Sequence, residues 1–215
     1  MKKYRFVGDI HGQYDVMQKA LDCDADRIIF CGDLVDSYTR SIEDQIKCVE
    51  LALETAGNGV VDVVWANHEW SYFHPKMRCS GYKERMSEYI DTTQEEMLSK
   101  FKPFIFEQDT LVTHAGLTLQ MWDTFNLTKD TFQQTLTKWS GDMGSPFFFI
   151  GRSRGGPAQW GGPLWCDFNS EFIPIPELNQ VFGHTRGKGL RKKENAWCID
   201  TLENTAPKFL DLEFE

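Results

Sequence analysis

The stretch Gly8-Asp9-Ile10-His11-Gly12 follows directly on the apolar run at 4–7. That run contains two aromatic residues and a valine, which predicts a short buried strand, and the flanking glycines allow the chain to turn sharply at its end. Asp9 and His11 are two residues apart, so both side chains can project in the same direction from the strand end. A carboxylate and an imidazole that converge in this way suit a divalent transition metal, although one such pair also occurs in ordinary polar turns.

The pattern of an apolar run followed by a polar turn recurs at 27–36, 60–69, 110–116 and 180–184. The first recurrence and the helical apolar spacing at 16–21 make a strand–helix–strand unit, which predicts parallel strands. Because the carboxyl ends of parallel strands meet at one edge of a sheet, the polar side chains that follow them are expected to converge. These side chains belong to Asp9, His11, Asp33, Asp36, Asn67, His68, His114 and His184.

Four of the five histidines lie in these turns, and His74 is interpreted as an ordinary surface residue. For one histidine considered alone, a role in packing is the usual explanation. Independent packing roles would not place a histidine at the end of one strand after another. The set as a whole therefore indicates a metal site.

The composition is typical of a globular protein, with 215 residues, 41% hydrophobic and 26% charged. A net charge of −9 argues against a nucleic-acid polymer as partner. There is no apolar run of ~20 residues for a membrane span and no apolar secretory segment. The six cysteines include no C-x-x-C pair, which is typical of reduced, mostly buried cysteines. We therefore predict a cytoplasmic protein with no membrane partner, while the oligomeric state stays open.

The chain is predicted to form one domain over 1–215, without linkers or repeats. The segment 70–103 is polar and aromatic and predicts a helical excursion from the sheet. The segment 117–165 is irregular and rich in aromatic residues and glycine, which in a compact domain predicts functional loops near the site. Helices are further predicted at 83–90 and 93–101, and closing strands at 196–199 and 208–212.

These motifs resemble, in order and in strand context, those of the metallophosphoesterase superfamily, specifically its phosphoprotein phosphatase branch. The family motifs are G-D-x-H-G, G-D-x-V-D-R-G, G-N-H-E, H-A/G-G and G-H. They stand here at 8–12, 32–36, 66–69, 114–116 and 183–184. The resemblance covers nearly the whole chain, and short serine/threonine phosphatases of bacteria and bacteriophages are the most similar in size. It implies a four-layer α/β fold, with two mixed β-sheets flanked by helices and a dinuclear metal site at the carboxyl ends of the strands.

The resemblance also implies which residues hold the two divalent ions. The first ion would be held by Asp9, His11 and a bridging Asp33, and the second by Asp33, Asn67, His114 and His184. A mixed set of carboxylate, amide and imidazole ligands suits Mn, with Fe or Zn as alternatives. A hydroxide that bridges the ions would attack phosphorus, so no protein nucleophile is needed. His68, oriented by Asp36, would protonate the leaving alkoxide.

The sequence departs from the family where the phosphate is bound. Ser37, followed by Tyr38, stands in place of the family's Arg-Gly, and Trp65-Ala66 replaces a second Arg-Gly. A lost guanidinium removes a two-point contact to phosphate, so another group is expected to supply it. Arg152 and Arg154 lie in a glycine-rich loop that could approach a metal centre, although solvated loop charges are the alternative for each. The predicted phosphate-binding residues are Arg152, Arg154 and Asn67, with Arg40 and Arg186 as weaker candidates.

The leading interpretation is a metal-dependent phosphatase that hydrolyses phosphomonoesters, with phosphoserine or phosphothreonine in proteins as the expected substrate. The alternative in the same superfamily is a dinucleoside polyphosphate hydrolase of the diadenosine tetraphosphatase kind or a cyclic nucleotide phosphodiesterase. The changed Ser37-Tyr38 supports that alternative, as do Trp70 and Trp160, which with Tyr38 could stack a base. A binding module of the same fold without activity is the third possibility, and the complete set of ligands argues against it.

Overall fold

Two β-sheets form the centre of the protein, and the computed structural model describes residues 1–74, 77–201 and 209–215. The strands are β1 (Lys2–Val7), β2 (Arg27–Phe30), β3 (Val61–Val63), β4 (Ile105–Glu107), β5 (Thr110–Val112), β6 (Asn179–Phe182), β7 (Arg191–Lys193), β8 (Ala196–Cys198) and β9 (Phe209–Phe214). The α-helices are α1 (Tyr14–Leu21), α2 (Ile42–Thr55), α3 (Asn67–Phe73), α4 (Glu84–Lys100), α5 (Leu119–Thr124) and α6 (Phe132–Ser140).

The first sheet has the strand order β3-β2-β1-β9. Strands β1, β2 and β3 are parallel, with Phe6 opposite Ile29, and β9 is antiparallel to β1. The turns that follow β1, β2 and β3 therefore lie at one edge of this sheet, as the sequence predicts.

The second sheet has the order β4-β5-β6-β8-β7. Its central strands β5, β6 and β8 are parallel, and the two edge strands are antiparallel to their neighbours. His114 follows β5 shortly after its end, and His184 follows β6 in the same way. Because β5 and β6 are parallel, His114 and His184 lie at the same edge of this sheet.

Successive side chains of each strand lie on opposite faces of the sheet and pack in different layers of the fold. Phe6 and Ile29 of the first sheet belong to the same apolar cluster as Val181 of the second, so this cluster lies between the two sheets. Ile28 and Phe30 point the other way and pack with α1, α2 and α4. Helices α5 and α6 pack in the cluster that contains β5. Full burial of one such side chain is worth about 1.5–3 kcal/mol. The predicted α/β fold, with two mixed sheets flanked by helices, is confirmed.

Several elements differ from the sequence-based expectation. The two helices predicted at 83–90 and 93–101 form one continuous helix, α4. The hydroxyls of Thr92 and Thr93 donate hydrogen bonds to the Tyr89 carbonyl, so both residues remain within the helix. Helices α5 and α6 lie inside the segment 117–165, whose second half is mostly loop. Strand β7 was not predicted, since its sequence Arg-Lys-Lys lacks apolar residues, as is common at a sheet edge. Of the predicted segments, residues 75–76 and Lys208 lie outside the described residues.

All six cysteines are free thiols, and four of them are buried. Cys31 lies between the two sheets and Cys198 lies in a cluster of aromatic residues, so both act as small apolar side chains. Across residues 1–74, 77–201 and 209–215, no helix has the length and apolar character needed to cross a bilayer.

Candidate active site

The turns after β1 and β2 are joined to each other through the backbone. The amides of Ile10 and His11 both donate to the Asp33 carbonyl, at 3.0 and 2.7 Å. His11 Nδ1 lies 2.7 Å from the Val35 carbonyl oxygen. Because that oxygen can only accept, Nδ1 carries the proton and Nε2 holds a lone pair. This Nε2 lies 3.7 Å from Asp33 Oδ2 and 3.9 Å from Asp9 Oδ2.

A second group of ligand atoms gathers around His114. Its Nδ1 donates to the Cys31 carbonyl at 2.8 Å, which leaves the lone pair on Nε2. Nε2 lies 2.7 Å from Asn67 Oδ1, 3.0 Å from His184 Nδ1 and 3.4 Å from Asp33 Oδ2.

This arrangement fits a cation by its own chemistry. Asn67 Oδ1 can only accept, so its approach to the unprotonated Nε2 of His114 opposes two lone pairs at 2.7 Å. His184 Nδ1 lies 3.0 Å from both atoms and can donate at most one proton, while His184 Nε2 is buried without a partner. A shared divalent cation relieves the repulsion that remains.

The part of the chain that the structure describes contains two sets of possible metal-ligand atoms. Within each set, all of the atoms lie within 4.8 Å of one another. One contains His11, Asp33 and His68, and the other Asp33, His114 and His184. Asp33 is common to both sets. Asp9 does not belong to the first set, whose third member is His68. Asp9 Oδ2 lies 3.9 Å from His11 Nε2, and Asp9 Oδ1 accepts the backbone amide of His184 at 3.0 Å.

Burial controls the charge of these groups. It lowers the pKa of His11 and His184 well below the usual range and that of His114 to about 3, so the three imidazoles are neutral and free to bind a metal. Burial raises the pKa of Asp9 to about 6. Burial and the neighbouring Asp9 raise the pKa of Asp33 well above its ordinary value. Two closely placed carboxyls in a buried site therefore favour a bound cation, which offsets their mutual repulsion.

Several site residues adopt a left-handed backbone that is rare outside glycine. The φ angles are 43° at His11, 50° at Asp33, 65° at Asp36 and 67° at His184. Each such conformation costs about 1–3 kcal/mol and persists only where the surrounding contacts enforce it. Gly32 in the β2 turn (φ 88°) has no alternative, because a Cβ there would lie 2.4 Å from that of Ala66.

His68 lies beside the two ligand groups in the first turn of α3, which the sequence analysis interpreted as a polar turn. Its amide donates to Asp33 Oδ1 at 3.2 Å, and its Nδ1 lies 2.7 Å from Asp36 Oδ2. Nε2 then faces the metal-ligand groups, 3.9 Å from Asp33 Oδ2. The carboxylate of Asp36 thus fixes the orientation of the ring, with Nε2 on the side of Asp33.

The sequence pattern alone indicates no role for Glu69, although this residue belongs to the N-H-E motif. Its carboxylate is buried and accepts the backbone amides of Asp33 and Leu34 at 3.1 and 2.7 Å. Burial raises its pKa to about 7. Through these two hydrogen bonds Glu69 stabilises the strained backbone turn at Asp33. Only the three-dimensional structure shows this contact.

The candidate phosphate-binding arginines are placed differently. A pocket of about 830 Å³ opens above the ligand groups, and its lining includes Arg154 and Arg186. Arg152 is exposed and does not line this pocket, and Arg40 pairs with Asp15 at 3.4 Å. Arg154 Nη2 donates to Thr185 Oγ1 and to Asp167 Oδ2, both at 2.9 Å. Arg154 is therefore held at the pocket wall next to the His184 turn.

Buried Glu171 anchors the glycine-rich loop that carries Arg154. Its two carboxylate oxygens accept the amides of Ser153 and Gly161, at 3.0 and 2.9 Å. Gly151 packs so closely on this carboxylate that a Cβ there would lie 2.3 Å from Oε1. The loop is thus fixed at both ends against the pocket.

The chain is similar to known proteins in sequence pattern and in fold. The family model of calcineurin-like phosphoesterases matches residues 3–186. A cold-active protein-tyrosine phosphatase of a psychrophilic Shewanella species shares 19% identity at a TM-score of 0.65, over 99% of this chain and 76% of that chain. A second structure of a cold-active protein tyrosine phosphatase gives 20% identity and a TM-score of 0.66, over 99% of this chain and 74% of that chain. Curated protein sequences gave no significant match.

A serine/threonine phosphatase of Saccharomyces cerevisiae shares 15% identity at a TM-score of 0.49, over 93% of this chain and 67% of that chain. At identities of this size, structural likeness speaks for the fold alone. The family match spans most of the chain and includes all five polar turns that converge in the site. The chain therefore belongs to the calcineurin-like phosphoesterase family.

Proposed function

We propose that this phosphoesterase is a metal-dependent phosphatase that hydrolyses phosphomonoesters of serine and threonine in proteins or peptides. The observation that carries the proposal is the contact of His68 Nδ1 with Asp36 Oδ2 at 2.7 Å, directly beside two groups of metal-ligand atoms. An alkoxide is a poor leaving group, so an oriented proton donor matters most for alkyl phosphates. A pyrophosphate leaving group needs less help from such a donor.

The residues divide the work as follows. Asp9, His11 and Asp33 would hold one divalent ion, and Asp33, Asn67, His114 and His184 the other. When bound, such a pair supplies an activated water molecule and stabilises charge on the phosphoryl oxygens. Mn²⁺ suits the mixed ligand set, with Fe or Zn as alternatives. Asn67 and Arg154 would orient the phosphate, and His68 Nε2 would donate the proton that the leaving oxygen needs.

The alternative substrate class, dinucleoside polyphosphates or cyclic nucleotides, would need an aromatic surface for a base. Of the candidates for that surface, Tyr38 is exposed and lines the pocket. Trp70 is buried and stacks on His74, and Trp160 packs against an apolar cluster instead of lining the pocket. The support for base stacking is therefore weaker than the support for an alkyl phosphate.

A comparison of substrates tests the proposal. The purified protein, loaded with Mn²⁺, is assayed on a phosphoserine peptide, on a phosphotyrosine peptide and on diadenosine tetraphosphate, with Asp33→Asn as the inactive control. We expect the highest kcat/KM on the phosphoserine peptide and loss of activity with EDTA. Preferred cleavage of the tetraphosphate, or of phosphotyrosine, would replace the proposed substrate class. Full activity in EDTA would remove the metal-dependent mechanism itself.

A further inference from the structure

Tyr72 lies one helical turn after His68 on α3 and is 5% exposed. Its hydroxyl donates to Asp36 Oδ1, while the other oxygen of the same carboxylate, Oδ2, holds His68 Nδ1. The backbone amide of Lys83 donates to the Tyr72 oxygen at 3.2 Å. Since the oxygen accepts from this amide, its single proton is directed to Asp36.

The surroundings of Asp36 leave it little freedom apart from rotation of the carboxylate. Its backbone amide donates to Gln45 Oε1 at 2.7 Å, and its φ of 65° is left-handed. A Cβ added to Gly81 would lie 2.8 Å from the Asp36 carbonyl oxygen, so the segment after α3 presses directly on this turn. Rotation about the Cβ–Cγ bond is then opposed at both oxygens, by Tyr72 on one side and His68 on the other.

The Tyr72 hydroxyl keeps its proton under all ordinary conditions. Burial, followed by the charge of Asp36 and its hydrogen bond, raises the pKa of Tyr72 above its usual value. Tyr72 is therefore a permanent donor to Asp36 and never a second negative charge beside it. A hydrogen bond from a neutral donor to a carboxylate is stronger than one between neutral groups.

We propose that Tyr72 is a positioning residue for the leaving-group acid: its hydroxyl fixes the Asp36 carboxylate in the plane that aims His68 Nε2 at the substrate. The inference rests on the proposed role of His68. The plain alternative is a core tyrosine whose ring stacks on Tyr82, with centroids 4.7 Å apart. A packing role depends on the ring alone, whereas the positioning role depends on the hydroxyl.

Tyr72→Phe removes the hydroxyl and keeps the ring, and Tyr82→Phe is the matched control in the same stacked pair. General acid catalysis is worth about 10²–10⁴-fold in total, so partial loss of orientation is expected to lower kcat about 10-fold on a phosphoserine peptide. On p-nitrophenyl phosphate, whose leaving group needs little protonation, we expect less than about a 3-fold loss. KM on both substrates, the affinity for Mn²⁺ and the values of Tyr82→Phe should stay near those of the wild type.

A measurement without turnover complements the kinetics. In the metal-free protein, the His68 Nδ1 proton shared with Asp36 should give a downfield proton NMR signal protected from exchange with water. We expect this signal to shift and broaden in Tyr72→Phe and to persist in Tyr82→Phe. An unchanged signal in Tyr72→Phe would overturn the positioning role.

His68→Asn and the double variant separate the two levels of the argument. A loss in His68→Asn that is equal on both phosphate esters removes the proposed acid, whatever Tyr72 does. A loss in His68→Asn specific to the phosphoserine peptide, combined with equal losses on both esters in Tyr72→Phe, overturns only the role of Tyr72. If Tyr72 acts through His68, Tyr72→Phe costs little in the His68→Asn background, and additive losses contradict that.

Should Tyr72→Phe not fold, 3-fluorotyrosine at position 72 keeps the contact and strengthens the donor. An unchanged ratio of the two rates would then count against the proposal.

Discussion

Removal of the Arg154 side chain is the sharpest test of how this site binds phosphate. Ser37 stands where the family motif has arginine, and Arg154 lies in the pocket wall, held at 2.9 Å by Thr185 Oγ1 and Asp167 Oδ2. Both contacts engage Nη2 and Nε is buried, so Nη1 is the nitrogen that is left to contact a phosphate. Arg152, two residues away in the same loop, is exposed and outside the pocket lining. The two arginines therefore form a matched pair of variants.

A charge-assisted hydrogen bond is worth about 1.5–3 kcal/mol, so Arg154→Ala should lower kcat/KM by roughly 10–100-fold. Arg152→Ala should leave kcat/KM within about 2-fold, since a solvated surface charge contributes little. Arg154→Lys should recover part of the loss, because an ammonium cannot make the planar two-point contact. The folded state should be affected little in every variant, because Asp167 keeps the backbone amides of Asn169 and Ser170 as donors when Arg154 is replaced.

The assay is kcat/KM on a phosphoserine peptide with Mn²⁺, with thermal unfolding measured on the same samples. Equal effects of Arg152→Ala and Arg154→Ala would show that position in the pocket does not matter. Near-normal activity in both variants, combined with a large gain from Ser37→Arg, would refute the reasoning. It would then follow that no arginine of the glycine-rich loop replaces the family residue.

Three further predictions concern the metal site and its supporting loop. Asp33→Asn should weaken both ions, whereas His11→Ala should weaken mainly one, and calorimetric titration with Mn²⁺ gives the stoichiometry that decides this. With the pKa of Asp9 at about 6, metal must displace a proton below that pH. Because burial also raises the pKa of Asp33, affinity for Mn²⁺ should fall by at least about tenfold per pH unit below 6, and a flat profile between pH 5 and 7 would contradict the assignment. Glu171→Ala leaves the amides of the glycine-rich loop unpaired and should lower the free energy of unfolding by about 1–3 kcal/mol, as denaturant titration measures, whereas unchanged stability would mean that the loop is held elsewhere.

The convergence of the polar side chains at the strand ends was predictable from the sequence alone. Asp9, Asp33 and His114 each lie two or three residues after the end of an apolar strand. Parallel strands end at one edge of a sheet, so these side chains had to converge once the strands were recognised. The two-sheet architecture was implied by the family resemblance, since uninterrupted apolar strands predict that both faces of a sheet are covered but do not decide whether helices or a second sheet cover them.

The arrangement around that ligand set was decided only by the tertiary structure. The sequence treats Arg152 and Arg154 alike, but the single turn of 3₁₀ helix that contains them directs one to the pocket and the other away from it. The hydroxyl of Tyr72 reaches Asp36 across 36 positions of sequence, and Glu171 binds amides 10 and 18 positions away. Local pattern reports which residues can turn or pack, whereas contacts between distant side chains depend on the path of the loops, which is set by packing of the whole chain.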